Sequence, residues 1–477
     1  MPVNSEAGKA ELSIDLSSYL IDQKALEIVP ATLAKRYNLI PLFKIGGTLT
    51  VAMSDPSNIV AIDELRNITG LDINILKAPS SEITQVITQN YGLAGTLKEM
   101  IANTAKTKTN NMAQAAEEAP VIKMVNLMIN QAIAEKASDI HLEPQEKNAR
   151  IRFRVDGILH EEAELPLSLI PAVVSRIKIM SGMDIAESRI PQDGRFQMRT
   201  EDKIIDVRSS SYPFLLGEKI VMRILDKVTM LIGLEELGFS AADFKKFKEV
   251  IARPYGMILV TGPTGSGKTT TLYAALSALN STEKNIMTVE DPIEYQLAGI
   301  TQSQVNVKAG FTFGNALRSI LRQDPDIILI GEIRDLETAH IAVQAALTGH
   351  LVFATLHTND ASSALTRLVD MGVEPFLVAS SVMDIVAQRL VRKVCDKCGG
   401  KGCNVCRKSG YRGRAAVFEQ LVMTDKISKL VTDKASSVEI KKAAIAAGMK
   451  TLMDDGMEKA KKGVTTEQEI MRVSTND

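Results

Sequence analysis

The sequence predicts an α/β fold in several domains, and three observations carry that prediction. A glycine-rich octet, Gly262-Pro-Thr-Gly-Ser-Gly-Lys268-Thr269, stands between the apolar run Met257 to Val260 and the helix-patterned stretch Thr270 to Leu279. Beyond it, short apolar runs alternate with helical periodicity, the pattern of a parallel sheet covered by helices on both faces. Before it lie two shorter regions in which strand and helix signals also alternate, so smaller α/β units precede the main one.

Composition sets the bounds. At 477 residues the chain is long enough for about three domains, and its 45% hydrophobic content is ample for folded cores. Lys and Arg number 56 against 57 Asp and Glu, a net charge of −1, so no overall field draws the chain to nucleic acid or acidic lipid. The longest apolar runs, such as Ile327 to Ile330, fall far short of the roughly 18 to 20 residues that cross a bilayer, and the N-terminus lacks a secretory pattern. The expectation is a cytoplasmic protein.

In residues 1–92 the pattern predicts helices over Ala31 to Tyr37, Ile59 to Ile68 and Ser81 to Tyr91, and strands over Leu49 to Met53 and Ile73 to Leu76, with turns at Gly46-Gly47 and Asp55-Pro56. No residue pattern there points to catalysis, so the unit reads as a docking module. Residues 93–118, rich in Ala, Thr, Lys and Asn, read as a linker whose ends would average about 25 to 30 Å apart if flexible. The second domain, 119–233, opens on one helix face made by Val121, Met124, Val125, Met128, Ile129, Ala132 and Ile133. In Ala149 to Val155, apolar residues alternate with Arg150, Arg152 and Arg154, and Asp156-Gly157 supplies a hairpin turn. Three arginines on one face make either a solvated surface or an anion-binding one. Further strands are expected around Arg208 and Arg223. Residues 234–394 hold the octet and the alternating core, 395–410 the cysteines, and 411–477 read as mainly helical with a capping box at Thr466 to Glu469.

The octet is a complete G-x-x-x-x-G-K-[ST] phosphate loop in its proper setting, after a strand and opening a helix. Glycines let backbone N–H groups curl round a phosphate, and the helix N-terminus adds partial positive charge. Gly262, Pro263, Thr264, Gly265, Ser266, Gly267, Lys268, Thr269 and Thr270 are therefore the candidate ATP-binding residues, with Lys268 reaching the β/γ-phosphates and Thr269 available to Mg²⁺. Downstream, Asp326-Ile-Ile-Leu-Ile-Gly-Glu332 reads as an apolar strand that delivers acids to its C-terminal end, Ile286 to Val289 ends in Glu290, and Leu351 to Thr355 ends at His357. Ligands of open α/β sheets bind at the C-terminal strand edge. Glu332 is thus the candidate for orienting an attacking water, Glu290 a second catalytic candidate, and Asp326 a residue near the metal's shell. His357 is either a γ-phosphate sensor or a satisfied polar residue.

All four cysteines lie in Cys395-x-x-Cys398 and Cys403-x-x-Cys406, the paired spacing of a tetrahedral Zn²⁺ site with four thiolates and no open position. Such a site is structural.

These blocks together resemble a known family. The phosphate loop, Thr288-Val-Glu-Asp-Pro-Ile-Glu-Tyr295, Leu321 to Asp335 and Thr348 to Asn359 are similar to the Walker A, Asp, Walker B and His boxes of the secretion ATPase superfamily. Ala137-Ser-Asp-Ile-His-Leu-Glu-Pro144, Arg154-Val-Asp-Gly157, Arg189 to Arg195 and Gly217 to Arg223 resemble the N-terminal half of the GspE/PilB group, the assembly ATPases of type II secretion and type IV pili. The resemblance implies a RecA-like phosphate-loop core, a smaller PAS-like α/β domain and a ring hexamer. It implies that Arg208 and Arg223 approach the phosphates while Arg318, Arg322 and Arg334 serve at or between subunits. It also implies partners: an inner-membrane platform protein, and the cytoplasmic domain of an inner-membrane secretion or pilus protein docked on 1–92. The protein would then be peripheral at the inner membrane. Family members commonly separate the two cysteine pairs by a much longer loop than the four residues here. A RecA-like nucleic-acid motor shares the core, but aromatics are 4% of residues and Trp is absent, a poor endowment for stacking bases. A pilus retraction motor is the nearer alternative, against which the zinc pairs and the extra first domain argue.

Overall fold

The computed structural model describes residues 21–91, 119–200, 204–226 and 232–474, with Ile14 and Leu16; the expected linker lies outside them. The chain divides into two compact units, with the boundary in the sequence between Leu225 and Asp226.

The first unit holds two sheets with separate cores. Strands β1 (Leu39–Ile45), β2 (Thr48–Met53) and β3 (Asp72–Lys77) lie in that order. β1 and β2 pair antiparallel about Gly46-Gly47, and β3 joins parallel to β2 after the helix Ile59–Thr69, which Asn58 caps and Gly70 ends in the left-handed conformation. The sequence pattern missed β1. Pro41 interrupts its run and coincides with a register shift between Pro41 and Phe43, the irregular position at which a strand tolerates proline.

The second sheet contains β4 (Asp139–Pro144), β5 (Asn148–Val155), β6 (Ile158–Pro166), β7 (Gln192–Arg199), β8 (Ile204–Phe214) and β9 (Gly217–Leu225), in the order β6-β5-β4-β9-β8-β7, all antiparallel. The helices Ala119–Ala134 and Ile170–Ser181 join its core through Val121, Val125, Ile129 and Ile177, with Ile140, Leu142, Phe153 and Met222 from the strands. Asp156 and Gly157 turn β5 into β6 with φ of 49° and 86°, as their chemistry demands. The three arginines of β5 are bound to acids of β4. Arg150 and Arg152 reach Glu143 at 2.9 and 2.8 Å, and Arg154 lies 3.7 Å from Asp139. Burial alone would raise Glu143, but bonds from Arg152, Lys219 and Arg150 outweigh it and hold its carboxyl at about 2.

The second unit is built on β10 (Gly256–Thr261), β11 (Ile286–Glu290), β12 (Thr301–Gln304), β13 (Ile327–Ile330), β14 (Leu351–Leu356), β15 (Val382–Val394) and β16 (Tyr411–Val422). Their order is β12-β11-β13-β14-β10-β15-β16; all neighbours are parallel except the last pair. The expectation that 411–477 is mainly helical fails at its start, because Tyr411–Val422 is a twelve-residue edge strand. Ala416 to Leu421 is buried throughout, so it shows no polar-apolar alternation to distinguish it from a helix. Helices do follow from Asp425 to Ser474. Only half of the expected capping box forms: Thr466 accepts the Glu469 N–H at 3.2 Å, but the Glu469 carboxylate goes to Arg392 and Arg472.

Candidate active site

The phosphate loop hangs between β10 and the helix Lys268–Leu279. Gly262 and Gly267 hold φ of 146° and 90°, and a Cβ there would stand 2.5 Å from the Gln388 carbonyl and 2.7 Å from Gln388 Nε2 respectively. At Gly262 a Cβ would meet fixed backbone, and at both positions the positive φ favours glycine. Gly267 caps the helix without a side-chain bond, so the first N–H groups stay available to an anion. Ser266 is buried with no hydrogen-bond partner for its hydroxyl. A glycine cradle, an uncapped helix start and an orphaned hydroxyl together fit a phosphate. Lys268 meanwhile curls onto the loop, donating to the carbonyls of Gly262 and Pro263 at 2.7 and 3.1 Å. Burial draws its ammonium down to about 8, against the pull of Glu332 and with help from Arg389.

Glu332 follows β13 in a segment pinned from both sides. Gly331 N–H donates to Val289 at 2.8 Å, Thr355 Oγ1 donates to the Gly331 carbonyl at 2.6 Å, and Ile333 N–H bonds Thr355 at 3.0 Å. The Glu332 side chain, 11% exposed, is held by Arg334 and lies 3.3 Å from His357 Nε2. The structure thus brings Glu332, Arg334 and His357 together, with the Glu332 charge felt at Lys268.

Glu290 ends β11 beside it; a Cβ on Gly331 would lie 3.1 Å from the Glu290 backbone. Its carboxylate is buried and accepts from Thr288 Oγ1 at 2.7 Å, Gln302 Nε2 at 3.1 Å and the Tyr273 hydroxyl. Burial and Glu290's charge push the Tyr273 hydroxyl far up, which keeps it a donor.

Asp326 is elsewhere. It precedes β13, accepts the Asn285 N–H at 2.7 Å, and lies at the opposite sheet edge, one strand length or about 13 Å from the loop's side. The expectation that it neighbours the metal is wrong; flanking a strand put it in the motif, but only the residues after the strand reach the ligand edge. Arg318 pairs with Glu337 at 2.5 Å, and Arg322 donates to the Arg318 carbonyl at 2.9 Å and to Ser319; among the described residues neither bonds to the loop. In the first unit Arg208 and Arg223 face each other across β8 and β9, and Arg223 Nε donates to Asp139 at 3.0 Å.

Two neighbours of the loop escaped the sequence reading. Gln388 accepts from Thr271 Oγ1 at 2.7 Å while crowding both glycines, and buried Arg389 bonds the Asn359 carbonyl at 2.9 Å. Their signal was faint: a Gln-Arg pair inside the apolar strand β15.

The cysteines form the tip of the β15–β16 hairpin. Sulfur separations are 3.9 Å for Cys395–Cys403 and 3.7 Å for both Cys398–Cys406 and Cys403–Cys406, with all four within 4.8 Å of one another. A Zn–S bond of about 2.3 Å in a tetrahedron sets sulfurs about 3.8 Å apart, so the cage fits. Gly402 and Cys403 aim backbone N–H groups at Cys398 and Cys406 sulfurs at 3.3 and 3.1 Å. Burial works against a Cys406 thiolate, but backbone donors from Cys403 and Gly410 prevail, with the neighbouring Cys403 and Cys398 thiols, and bring it to about 6. The short spacer is accommodated by a tight turn of left-handed glycines.

Residues 114–472 match the family described as "Type II/IV secretion system protein". The chain belongs to that family. Residues 9–97 match the MshEN domain. The chain is 45% identical to "Type IV pilus assembly ATPase PilB" of Myxococcus xanthus, over 96% of this chain and 88% of that one. It is 44% identical to "Type II secretion system protein E" of Xanthomonas campestris pv. campestris, over 92% and 83% of the two chains. The X-ray structure of the ATPase DotB of Legionella pneumophila, 22% identical, superposes with a TM-score of 0.61 over 78% of this chain and 98% of that one, a likeness of fold that is RecA-like. This secretion-family chain is an ATPase. No helix among the described residues is long and apolar enough to cross a membrane.

Proposed function

We propose that the chain works as a ring hexamer in the cytoplasm, at the inner membrane, where ATP hydrolysis drives assembly of a type IV pilus or a type II secretion pseudopilus. The observation that carries the chemistry is Glu332 held between Arg334 and His357, close enough to Lys268 to perturb it, at the strand edge that bears the phosphate loop. The loop's N–H groups, Ser266 and Lys268 would bind the β/γ-phosphates, Lys268 exchanging its carbonyl partners for phosphate oxygens. Thr269 would hold Mg²⁺, which supplies charge neutralisation on those oxygens when bound. Glu332 would orient the attacking water, and His357, linked to it at 3.3 Å, would register the γ-phosphate. Glu290, fixed by Thr288, Gln302 and Tyr273, would set the charge beside that water.

The cations are the remaining need. Arg208 and Arg223 would serve the γ-phosphate, and Arg318, Arg322 and Arg334 would act at or between subunits; a planar, permanently charged fork suits that task. Zn²⁺ on the four cysteines would be structural. Residues 1–92 would dock on the cytoplasmic domain of an inner-membrane secretion or pilus protein, and the ring would turn a platform protein. The named relatives at 45% and 44% identity, an assembly ATPase and a secretion protein E, favour assembly over retraction.

The test is to replace the chromosomal copy with Lys268→Ala and assay surface pili and secreted protein. Loss of one or both is expected; normal levels of both would overturn the role. ATP turnover stimulated by single-stranded DNA or RNA would overturn it in favour of a nucleic-acid motor.

A further inference from the structure

Four arginines and one acid lie on a single line across the second sheet. Arg154, Asp139, Arg223, Arg208 and Arg195 are successive cross-strand partners on β5, β4, β9, β8 and β7. Directly opposed residues share a face, and like charges there repel, so the line is arranged around its acid and for an anion. Asp139 is buried, and each carboxylate oxygen has its own donors. Oδ1 takes Arg223 Nε at 3.0 Å, while Oδ2 takes Ser138 Oγ at 2.8 Å and faces Arg154 Nε at 3.7 Å. The Arg223 side chain is 56% exposed against 8% for Asp139, and Asp139 is its sole partner among the described residues. Its root is therefore fixed while the Nη1/Nη2 end, the edge that forks onto an oxyanion, stays open.

We propose that Asp139 is a positioning residue for ATP hydrolysis: it grips Arg223 by Nε and leaves the two terminal nitrogens aligned to fork onto a phosphate oxygen. The inference rests on the reading that Arg223 serves the phosphates. A merely structural Asp139 would neutralise two arginines, and any carboxylate would do. A positioning Asp139 must place an acceptor at one distance, and charge matters less.

Asp139→Asn and Asp139→Glu separate the two, with Arg223→Ala as control and ATP turnover measured in the full chain. Asn keeps the oxygen facing Arg223 and loses the charge; kcat within about threefold of wild type is expected. Glu keeps the charge and pushes the acceptor out by one methylene; a fall in kcat on the order of tenfold to a hundredfold, with KM for ATP within about twofold and unchanged thermal unfolding, is expected. Wild-type kcat in Asp139→Glu with an inactive Arg223→Ala would overturn the positioning role and leave the Arg223 reading standing. Wild-type kcat in Arg223→Ala would overturn the reading itself. If Asn proves as damaging as Glu, the role is charge neutralisation and the inference fails.

Discussion

The phosphate loop and the cysteine hairpin are both tight glycine turns at strand ends of one sheet, yet they dispose of their polar groups in opposite ways. At the hairpin, backbone N–H groups of Gly402 and Cys403 already point at sulfur, and the four thiols face one another. At the loop, the Ser266 hydroxyl has no partner and Lys268 bonds the loop's own carbonyls, a contact a phosphate can displace. One turn closes its sulfurs into a cage that fits a metal ion, and the other leaves its donors open to an exchanging anion. The difference lies in what the backbone donors face, since both turns spend glycines to reach left-handed φ.

The largest effect expected from breaking this contrast is at Lys268. Lys268→Ala removes the loop's cation, and nucleotide affinity should fall on the order of a hundredfold, as for loss of a strong charged contact. Binding of a fluorescent nucleotide checks it; unchanged affinity would mean the cradle alone suffices. Next is Cys398→Ser, which should release zinc and loosen residues 391–414 while leaving nucleotide affinity intact, because metal binding and local folding are coupled only there. Metal analysis with hydrogen exchange reports both, and iron in place of zinc, or lost nucleotide affinity, would contradict it.

A smaller effect is expected at the glycines of the two turns. Gly267→Ala and Gly402→Ala each force a Cβ into a contact of 2.7 Å, on the flexible Gln388 side chain and on the Lys408 carbonyl respectively, at φ of 90° and 88°. Each should cost about 1 to 3 kcal/mol of local stability. Gly267→Ala should show mainly as weaker nucleotide binding and Gly402→Ala mainly as weaker metal retention; the reverse pattern in competition titrations would refute the division.

The smallest effect concerns β15, the strand that links the two turns. Asp384 on it is fully buried; burial pushes its carboxyl up to about 7, against a 2.6 Å bond from Gln420 and the charges of Lys246 and Arg253. The folded chain therefore keeps this proton between about pH 4 and 7 where the unfolded chain has released it, so rising pH removes stability across that window. Asp384 Oδ1 and Gln420 Oε1 have no hydrogen-bond partner, and an asparagine amide supplies a donor. Asp384→Asn should gain thermal stability relative to wild type as pH rises from 4 to 7 and hold that gain above it; a difference independent of pH would contradict the assignment.

Much of the second unit was legible because its chemistry is local. The loop, Glu332 and the cysteine pairs are contiguous motifs, and β10, β13 and β14 are apolar runs bounded by turn residues. What the sequence hid is tertiary. β1 was masked by Pro41 and β16 by burial along its length. Gln388 and Arg389 reach the loop only because β15 pairs with β10, a neighbour far away in sequence. Asp326 sits at the far end of β13 because a motif flanks a strand on both sides while only one end of the strand meets the ligand. The alternation in β5 does not distinguish a solvated face from an anion-binding one, because the acids that pair with its arginines lie on β4 and come opposite them only through the register.

On the proposed mechanism, Glu332 performs chemistry that the phosphate loop's binding of nucleotide does not require. The most direct measurement is nucleotide binding and phosphate release side by side in wild type and Glu332→Gln. Affinity should stay within about threefold while turnover drops by at least on the order of a hundredfold. Turnover at the wild-type rate in Glu332→Gln would contradict the claim.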